Sequence, residues 1–451
     1  MITRSLNERI KSPVSEVFRR FYIKRRNVSN GQFESTWQDM TDYMVRWGSY
    51  GWSVDTPRYG DLRLENNVIA VSNVDGSFNP SDNESSFWYG YSDLQRSLVK
   101  IEAGFRHFTQ SSGGIWTKTE FPTNPTMWIG IISGDIFFNG QSIVNIPLRP
   151  VSQIFRDFPV NQLTGFTTTG FSSGGFMAAL RDHTDGSGYY AFRPFIGTGT
   201  AADWQIETNS SVLYANLNSN SAEDLHNLSA WDVAEKMANA ENKAVWINQS
   251  GNFIWQSKTM GASEVFQFHG LGSNFSRTYG QTIKKINRYG KRLSAFYSRV
   301  AVKYVNTDTN TSFVNTGLAY AVSGTNTAWN LGQRTYRIDN FWLPNSASAA
   351  VVASAVFSKV SSQSEEIEFS TSFVPHVQLF DKISISYDSS DFATTISFWD
   401  ERDWAAYTES SSDLWWDAER GDAIILNSVT FQILGVNIDL DNAECRFIAK
   451  R

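Results

Sequence analysis

Near the end of the chain apolar residues recur at every second position: Val429, Phe431 and Ile433, then Val436, Ile438 and Leu440. A period of two gathers such residues on one face of an extended strand, whereas a helix would scatter them around its axis. Shorter runs of the same texture fill the rest of the sequence, among them Val68-Ile69-Ala70-Val71, Leu98-Val99-Lys100-Ile101 and Trp128-Ile129-Gly130-Ile131-Ile132. Clusters of Gly, Ser, Asn and Pro separate them, so the fold class expected is mainly β.

A chain of 451 residues exceeds what one hydrophobic core usually organises, so several packed modules are expected. Residues 1–160 read as a first, barrel-like antiparallel β-module. Glu16 to Lys24 gives a strand and Asn30-Gly31 a turn before a second strand at Phe33 and Trp37. Asn73-Val74-Asp75-Gly76 supplies a turn, Phe87-Trp88-Tyr89 a short strand, and Asn139-Gly140 the closing hairpin. The Gly-, Ser- and Thr-rich stretch from Gly165 to Gly188 marks loops and a boundary.

Residues 161–285 read as a small α+β insert. Ser229 and Asp232 have capping-box spacing, and Ala230, Val233, Ala234, Met237 and Ala238 repeat with helical period, predicting a helix over 229–240 that packs on a sheet. A hairpin over 244–256 follows, turning at Asn248 to Asn252. Residues 286–451 read as a second β-module, with strands at 299–305, 336–343, 366–373, 382–387 and 423–447.

The charge balance narrows function. Thirty-nine basic against 45 acidic residues give a net charge of −6 with no broad cationic surface, which disfavours stable nucleic-acid binding. The densest basic run, Lys284 to Arg292, reads as a polar connector that pairs with acidic neighbours. Arg19-Arg20 and Arg25-Arg26 suit either docking on an acidic partner or a strand edge guarded by charge. Cys445 is the one cysteine, so no internal disulfide or Cys-based zinc site is possible, and it is expected to pack as a small hydrophobe. Met1 to Lys11 lacks an apolar stretch, and no uninterrupted apolar run reaches about 18 residues, so a soluble protein without a membrane span is expected.

Catalytic signals are sparse. The five histidines are scattered, and no nucleophile elbow, phosphate loop or dinucleotide fingerprint occurs, so neither a metal, nor a cofactor, nor an enzymatic role is expected. The exception is an acidic cluster in which Glu401, Asp403, Asp413, Asp417 and Glu419 sit near Trp404, Trp415 and Trp416. Indole platforms beside carboxylates suit a sugar site, and paired carboxylates suit a polysaccharide depolymerase. The plainer reading is a solvated acidic loop whose aromatics pack at a subunit interface.

The order of several segments resembles the hub proteins of tailed-bacteriophage tails, the group of baseplate hubs and minor tail proteins. They are NVDGSFNP at 73–80 with FWYG at 87–90 and VKIEAGF at 99–105, then WIGIISGDIFFNG at 128–140 and the helix-plus-hairpin segment 229–255. RIDNFWL at 337–343, VPHVQLFDKISISY at 374–387 and the closing strands at 429–450 complete the series. One departure is Phe380-Asp381, where the family often has Gly-Asp.

The resemblance implies a homotrimer with two tube-like β-modules per subunit that together imitate a six-fold ring. Such a hub joins the tail tube or distal-tail ring to tip or fibre proteins, surrounds the DNA path without holding the DNA, and resides in the virion tail after assembly in the host cytoplasm. Aromatic residues commonly anchor ring interfaces, and the candidates are Trp37, Trp47, Trp52, Trp88, Trp128 and Trp342. A distal-tail or receptor-binding component is the alternative within the same virion.

Overall fold

The computed structural model describes residues 15–451 apart from 28–29, 55–61, 65–66, 80–85, 90, 92–93, 111–115, 141, 164–170, 187, 208–212, 215–227, 242, 258, 271–281, 292–296, 307–314, 323–333, 340–342, 344, 361–364 and 389–423. The protein is mainly β, with two large and mostly antiparallel sheets and a helix-plus-hairpin unit.

The first sheet uses β1 (Ser15–Lys24), β2 (Gln38–Asp39), β3 (Met44–Arg46), β6 (Asn67–Ser72), β7 (Leu98–Gln110), β8 (Trp116–Phe121), β9 (Thr126–Ile132), β10 (Phe137–Asn139) and β11 (Ile143–Pro150). Its order is β2-β1-β7-β9-β11-β6-β3. Long strands carry shorter ones end to end: β9 and β8 share one edge of β7, and β9 and β10 share one edge of β11. The predicted Asn139-Gly140 hairpin joins β10 to β11, with Gly140 at φ 68°, and Gly76 at φ 76° closes the turn after β6. Phe87 to Tyr89 form a turn rather than the expected strand, because Trp88 dives into the core while its backbone folds back on Ser86.

The second sheet has the order β17-β23-β24-β25-β22-β18, from β17 (Glu264–His269), β18 (Ile283–Lys291), β22 (Glu365–Ser372), β23 (Lys382–Asp388), β24 (Ile425–Asp439) and β25 (Glu444–Lys450). The apolar alternation changes phase between Ile433 and Val436, and the pairing of β24 with β25 slips between Ile433 and Gly435. That bulge returns Val436, Ile438 and Leu440 to the face that already buries Phe431 and Ile433. Lys284 to Lys291 lie in strand β18, not in a connector, although the expected acidic pairing is present.

Chain order and sheet membership differ. β4 (Ser49–Val54), from the N-terminal third, pairs antiparallel with Gly435 to Asp439 of β24 and carries β5 (Leu62–Leu64) on its other edge. The Asp441 carboxylate accepts the Trp47 and Gly48 N–H groups at 2.8 and 3.0 Å, which fixes the start of this excursion. β17, from within residues 161–285, joins the second sheet beside β23. The two sheets share one apolar core that includes Phe21, Val99 and Ile146 from the first and Phe268, Phe369 and Phe431 from the second. Tyr50 meets Trp128 at 5.0 Å and Phe105 meets Phe373 at 5.7 Å across it.

A second core surrounds the helices. Here lie α1 (Gln153–Arg156), α2 (Ser173–Asp182), α3 (Ala230–Glu241) and α4 (Ser346–Val360), with strand pairs β15–β16 (Lys243–Ile247, Phe253–Ser257) and β19–β20 (Arg299–Asn306, Asn315–Val322). β13 (Trp204–Ile206) extends the first pair, β21 (Thr335–Asp339) the second, and β12 (Phe171–Ser172) pairs β14 (Leu213–Tyr214). The predicted capping box of α3 forms: Ser229 Oγ accepts the Asp232 N–H at 3.1 Å, and Asp232 Oδ2 accepts the Ser229 N–H at 3.1 Å. All five periodic residues of α3 are buried.

Two helices correct the sequence reading. α2 occupies part of the Gly- and Ser-rich stretch expected to be loop, capped by Ser172 Oγ accepting the Gly175 N–H and held by buried Phe176, Met177 and Leu180. α4 lies within the expected second β-module. Its Ala349, Val352, Ala353, Val356 and Val360 are buried at helical spacing, but the valines and serines between them read equally well as strand.

The connection from β22 to β23 shows how the chain accommodates its departure from Gly-Asp. Phe380 takes φ 66°, the left-handed region that glycine enters freely, and its buried ring packs edge-on against Trp246 at 5.2 Å. Beside it, burial pushes the Asp381 carboxyl up to about 6, against the opposing pull of the Gln378 N–H donated at 2.7 Å. The folded protein therefore keeps this proton to a higher pH than the unfolded chain, and stability falls as pH rises from about 4 through 6. Asp381→Asn keeps the acceptor and removes the charge, so it should stabilise the protein by up to about 3 kcal/mol at neutral pH and by almost nothing near pH 4. Urea denaturation at both pH values checks this, and equal effects at the two would contradict the assignment.

Candidate interaction surfaces

The outer face of the first sheet is a chain of cross-strand ion pairs. In β1, β7 and β8 the register sets Arg20 opposite Glu102, and Arg106 opposite Glu16 and Glu120. The Glu120 carboxylate is the hub: Arg20 Nη2 donates to both its oxygens at 2.6 and 2.8 Å, with Arg106 at 3.4 Å and Lys118 at 3.2 Å. Lys100 reaches Glu102 at 2.6 Å, and Arg20 lies 3.5 Å from it. Burial pushes the Glu120 carboxyl up, but hydrogen bonds from Arg20 and Lys118 outweigh it and hold the group below its usual range.

The second sheet repeats this chemistry with different residues. Arg288 pairs with Glu366 at 3.3 Å, Arg451 with Glu365 at 3.5 Å, Lys284 with Glu444, and Arg446 with Glu368. Apart from Arg451 and Glu365, which meet where the pairing of β22 with β25 ends, these side chains come from β18, β22 and β25, opposite the face that buries Ile367, Phe369 and Phe447. Each large sheet thus turns one face to the shared core and carries a network of paired charges on the other, where in the first sheet Leu98 and Ile131 pack into the second core beside it.

The candidate aromatic anchors divide. Trp52, Trp88 and Trp128 are 6, 4 and 3% exposed and belong to the shared core, so they are corrected from interface to core residues: their apolar area is already removed from water within the subunit. Trp37 is half-buried on the outer face of the first sheet, with the Lys100 ammonium 5.3 Å from its ring. Trp47 is half-buried against the shared core. Trp342 lies outside the described residues, as do Asp403, Trp404, Asp413, Trp415, Trp416 and Asp417.

Sequence reading missed the aromatics that do reach solvent. Phe137 and Phe138 are 61 and 42% exposed on β10, a three-residue strand paired only with β11. Both immediately precede the Asn139-Gly140 turn, and two phenylalanines at a hairpin tip were the available signal. Tyr89, Tyr189 and Tyr190 are likewise exposed.

Among the described residues no group of three or more His, Cys, Asp or Glu side chains could hold a metal ion, and no helix is long and apolar enough to cross a membrane. Burial pushes the Cys445 thiol up to about 12, and its Sγ accepts the Val374 N–H at 3.2 Å, which matches the small hydrophobe expected of it. Glu120→Gln keeps size while removing the shared counter-charge, so it should cost about 1–2 kcal/mol in low salt. Thermal denaturation measures the loss, which should shrink in about 0.5 M NaCl as the remaining cations are screened. A loss independent of salt would contradict the electrostatic account.

No family model matches the sequence, and no curated protein matches it. Among solved structures, a tail protein from Neisseria meningitidis is similar at 10% identity and a TM-score of 0.49, covering 96% of each chain. A prophage MuSo2 43 kDa tail protein from Shewanella oneidensis is similar at 10% identity and a TM-score of 0.44, covering 96% of this chain and 98% of that one. A prophage tail protein from Listeria monocytogenes is similar at 9% identity and a TM-score of 0.46, with 96 and 94% covered. Each of these matches spans nearly the whole of both chains.

Proposed function

We propose that this chain is a structural component of a phage tail, the hub that joins the tail tube or distal-tail ring to the tip. It works through surfaces and carries out no bond chemistry. The observation that carries the reading is the pairing of two large sheets into one body, each presenting an outward network of neutralised charges. Two large sheets per subunit would let a three-fold hub meet a six-fold ring. The segment order that resembles tail hubs points the same way.

Surface chemistry agrees with a role around DNA. Each Lys or Arg left free to pair with phosphate adds a salt-dependent grip on passing nucleic acid. On the outer faces Arg20, Arg106, Arg288 and Arg446 are engaged by carboxylates, so a sheet face of this kind would let DNA slide. Neighbouring subunits and tip proteins would instead be held by apolar contacts, of which Phe137 and Phe138 on β10 are the most exposed pair.

Mass photometry with negative-stain imaging of the purified chain tests the assembly. A ring-shaped trimer is expected, and a chain that stays monomeric at every concentration would overturn the reading. Phe137→Glu tests the contact: it should leave the melting temperature almost unchanged, because the ring is exposed, while weakening association by roughly 30-fold, the effect of losing one anchor of about 2 kcal/mol. Unaltered assembly would remove β10 from the interface. Incubation with host polysaccharide should release no reducing ends, and release would overturn the non-enzymatic role.

A further inference from the structure

One cavity has no part in the tail reading. It holds about 420 Å³ between the turn after β1 and the segment 154–195, within the range of small-ligand pockets, roughly 300–1,000 Å³. Its charged lining is balanced: the guanidiniums of Arg26 and Arg96 face the carboxylates of Asp157 and Asp185, with the Gln32 and Gln162 amides beside them. Its apolar lining is aromatic, built from Phe158, Phe192 and Phe195, with Tyr189 and Tyr190 exposed by 56 and 44%.

These groups are held in place before any ligand arrives. Arg26 Nε donates to the Gly31 carbonyl at 2.9 Å, and its guanidinium lies 5.5 Å from the Phe195 ring. Burial and the neighbouring Arg96 charge lower the Arg26 pKa, against the opposing pull of the Asp185 carboxylate. Arg96 stands 3.7 Å from Asp157, whose Oδ1 accepts the Gln153 amide at 2.8 Å. Asp185 Oδ1 accepts the Tyr189 N–H at 3.0 Å, and the Arg193 guanidinium covers one face of Tyr190 at 3.8 Å. Phe158 and Phe192 meet edge-on at 5.1 Å.

The balance selects the ligand class. An anion drawn to the two arginines also meets Asp157 and Asp185, and a cation drawn to the carboxylates meets the arginines, so neither gains a net field. A neutral ring bearing hydroxyls fits both, since each hydroxyl donates to a carboxylate or amide oxygen and accepts from a guanidinium or amide N–H. Planar guanidinium, carboxylate and amide groups can each engage adjacent hydroxyls in pairs, and the aliphatic face of a sugar ring finds apolar cover on tyrosine. We propose that this cavity binds a short neutral saccharide, as in a cell-surface glycan. The inference stands apart from the tail reading: a hub without a sugar site and a sugar-binding protein outside tails are both distinguishable outcomes.

Saturation-transfer NMR on the full chain tests it, with the methyl glycosides of glucose, galactose, mannose, rhamnose and N-acetylglucosamine as probes and sodium acetate and phosphate as anion controls. At least one glycoside should give a saturable signal that does not change when salt is raised from about 0.05 to 0.3 M. Tyr189→Ala should weaken that binding about tenfold or more, whereas Tyr89→Ala, an exposed tyrosine elsewhere, should leave it unchanged. Three results would overturn the proposal: no saturable signal from any glycoside, salt-sensitive binding of acetate or phosphate alone, or glycoside binding that survives Tyr189→Ala.

Discussion

Pairing between β4 and β24 holds the two large sheets together. It ties residues 49–53 to residues 435–439, far apart in sequence, and so places a strand from the N-terminal third inside the C-terminal sheet. Tyr50 and Trp52 enter the shared core with it, and the Asp441 carboxylate secures the chain where it leaves the first sheet. Without this crossing each large sheet would have an apolar face and no fixed partner. With it, two sheets bury that face against each other and behave as one body.

The outer faces follow from the inner ones. Once alternate residues of β1, β7, β22 and β25 are committed to the core, their neighbours must point away from it, and period two leaves no other choice. Those neighbours are lysines, arginines and glutamates whose cross-strand partners neutralise them. Partly solvated pairs of this kind add little stability individually, and their larger effect is on what the surface attracts. A cation already paired with a carboxylate has a weaker hold on nucleic acid than a free one.

Aromatic residues show where reading from sequence succeeds and fails. The β class, the capped helix at Ser229, the hairpin after it and the Asn139-Gly140 turn were legible, because each depends on residues close together in the chain. Trp52, Trp88 and Trp128, interface candidates by composition, fill the core, while Phe137 and Phe138 beside the turn are the exposed pair. A tryptophan has the same appetite for burial in either place, and only the neighbours that fold around it decide which. α4 went unread for a related reason: alanine, valine and serine in succession carry no strong local preference, and contact with β19 and β20 settles the helix.

Alternating strands, their turns, the α3 cap and the charge balance can be read along the chain, since periodicity and capping are local physics. Long-range packing sets the rest: β4 and β17 cross into the second sheet, Phe380 is forced into a glycine conformation, and Arg26, Asp157 and Asp185 line one cavity. Each of these joins residues separated by long stretches of chain. Pairing energies between such residues are expressed only after folding has brought them together, so no window along the sequence contains them.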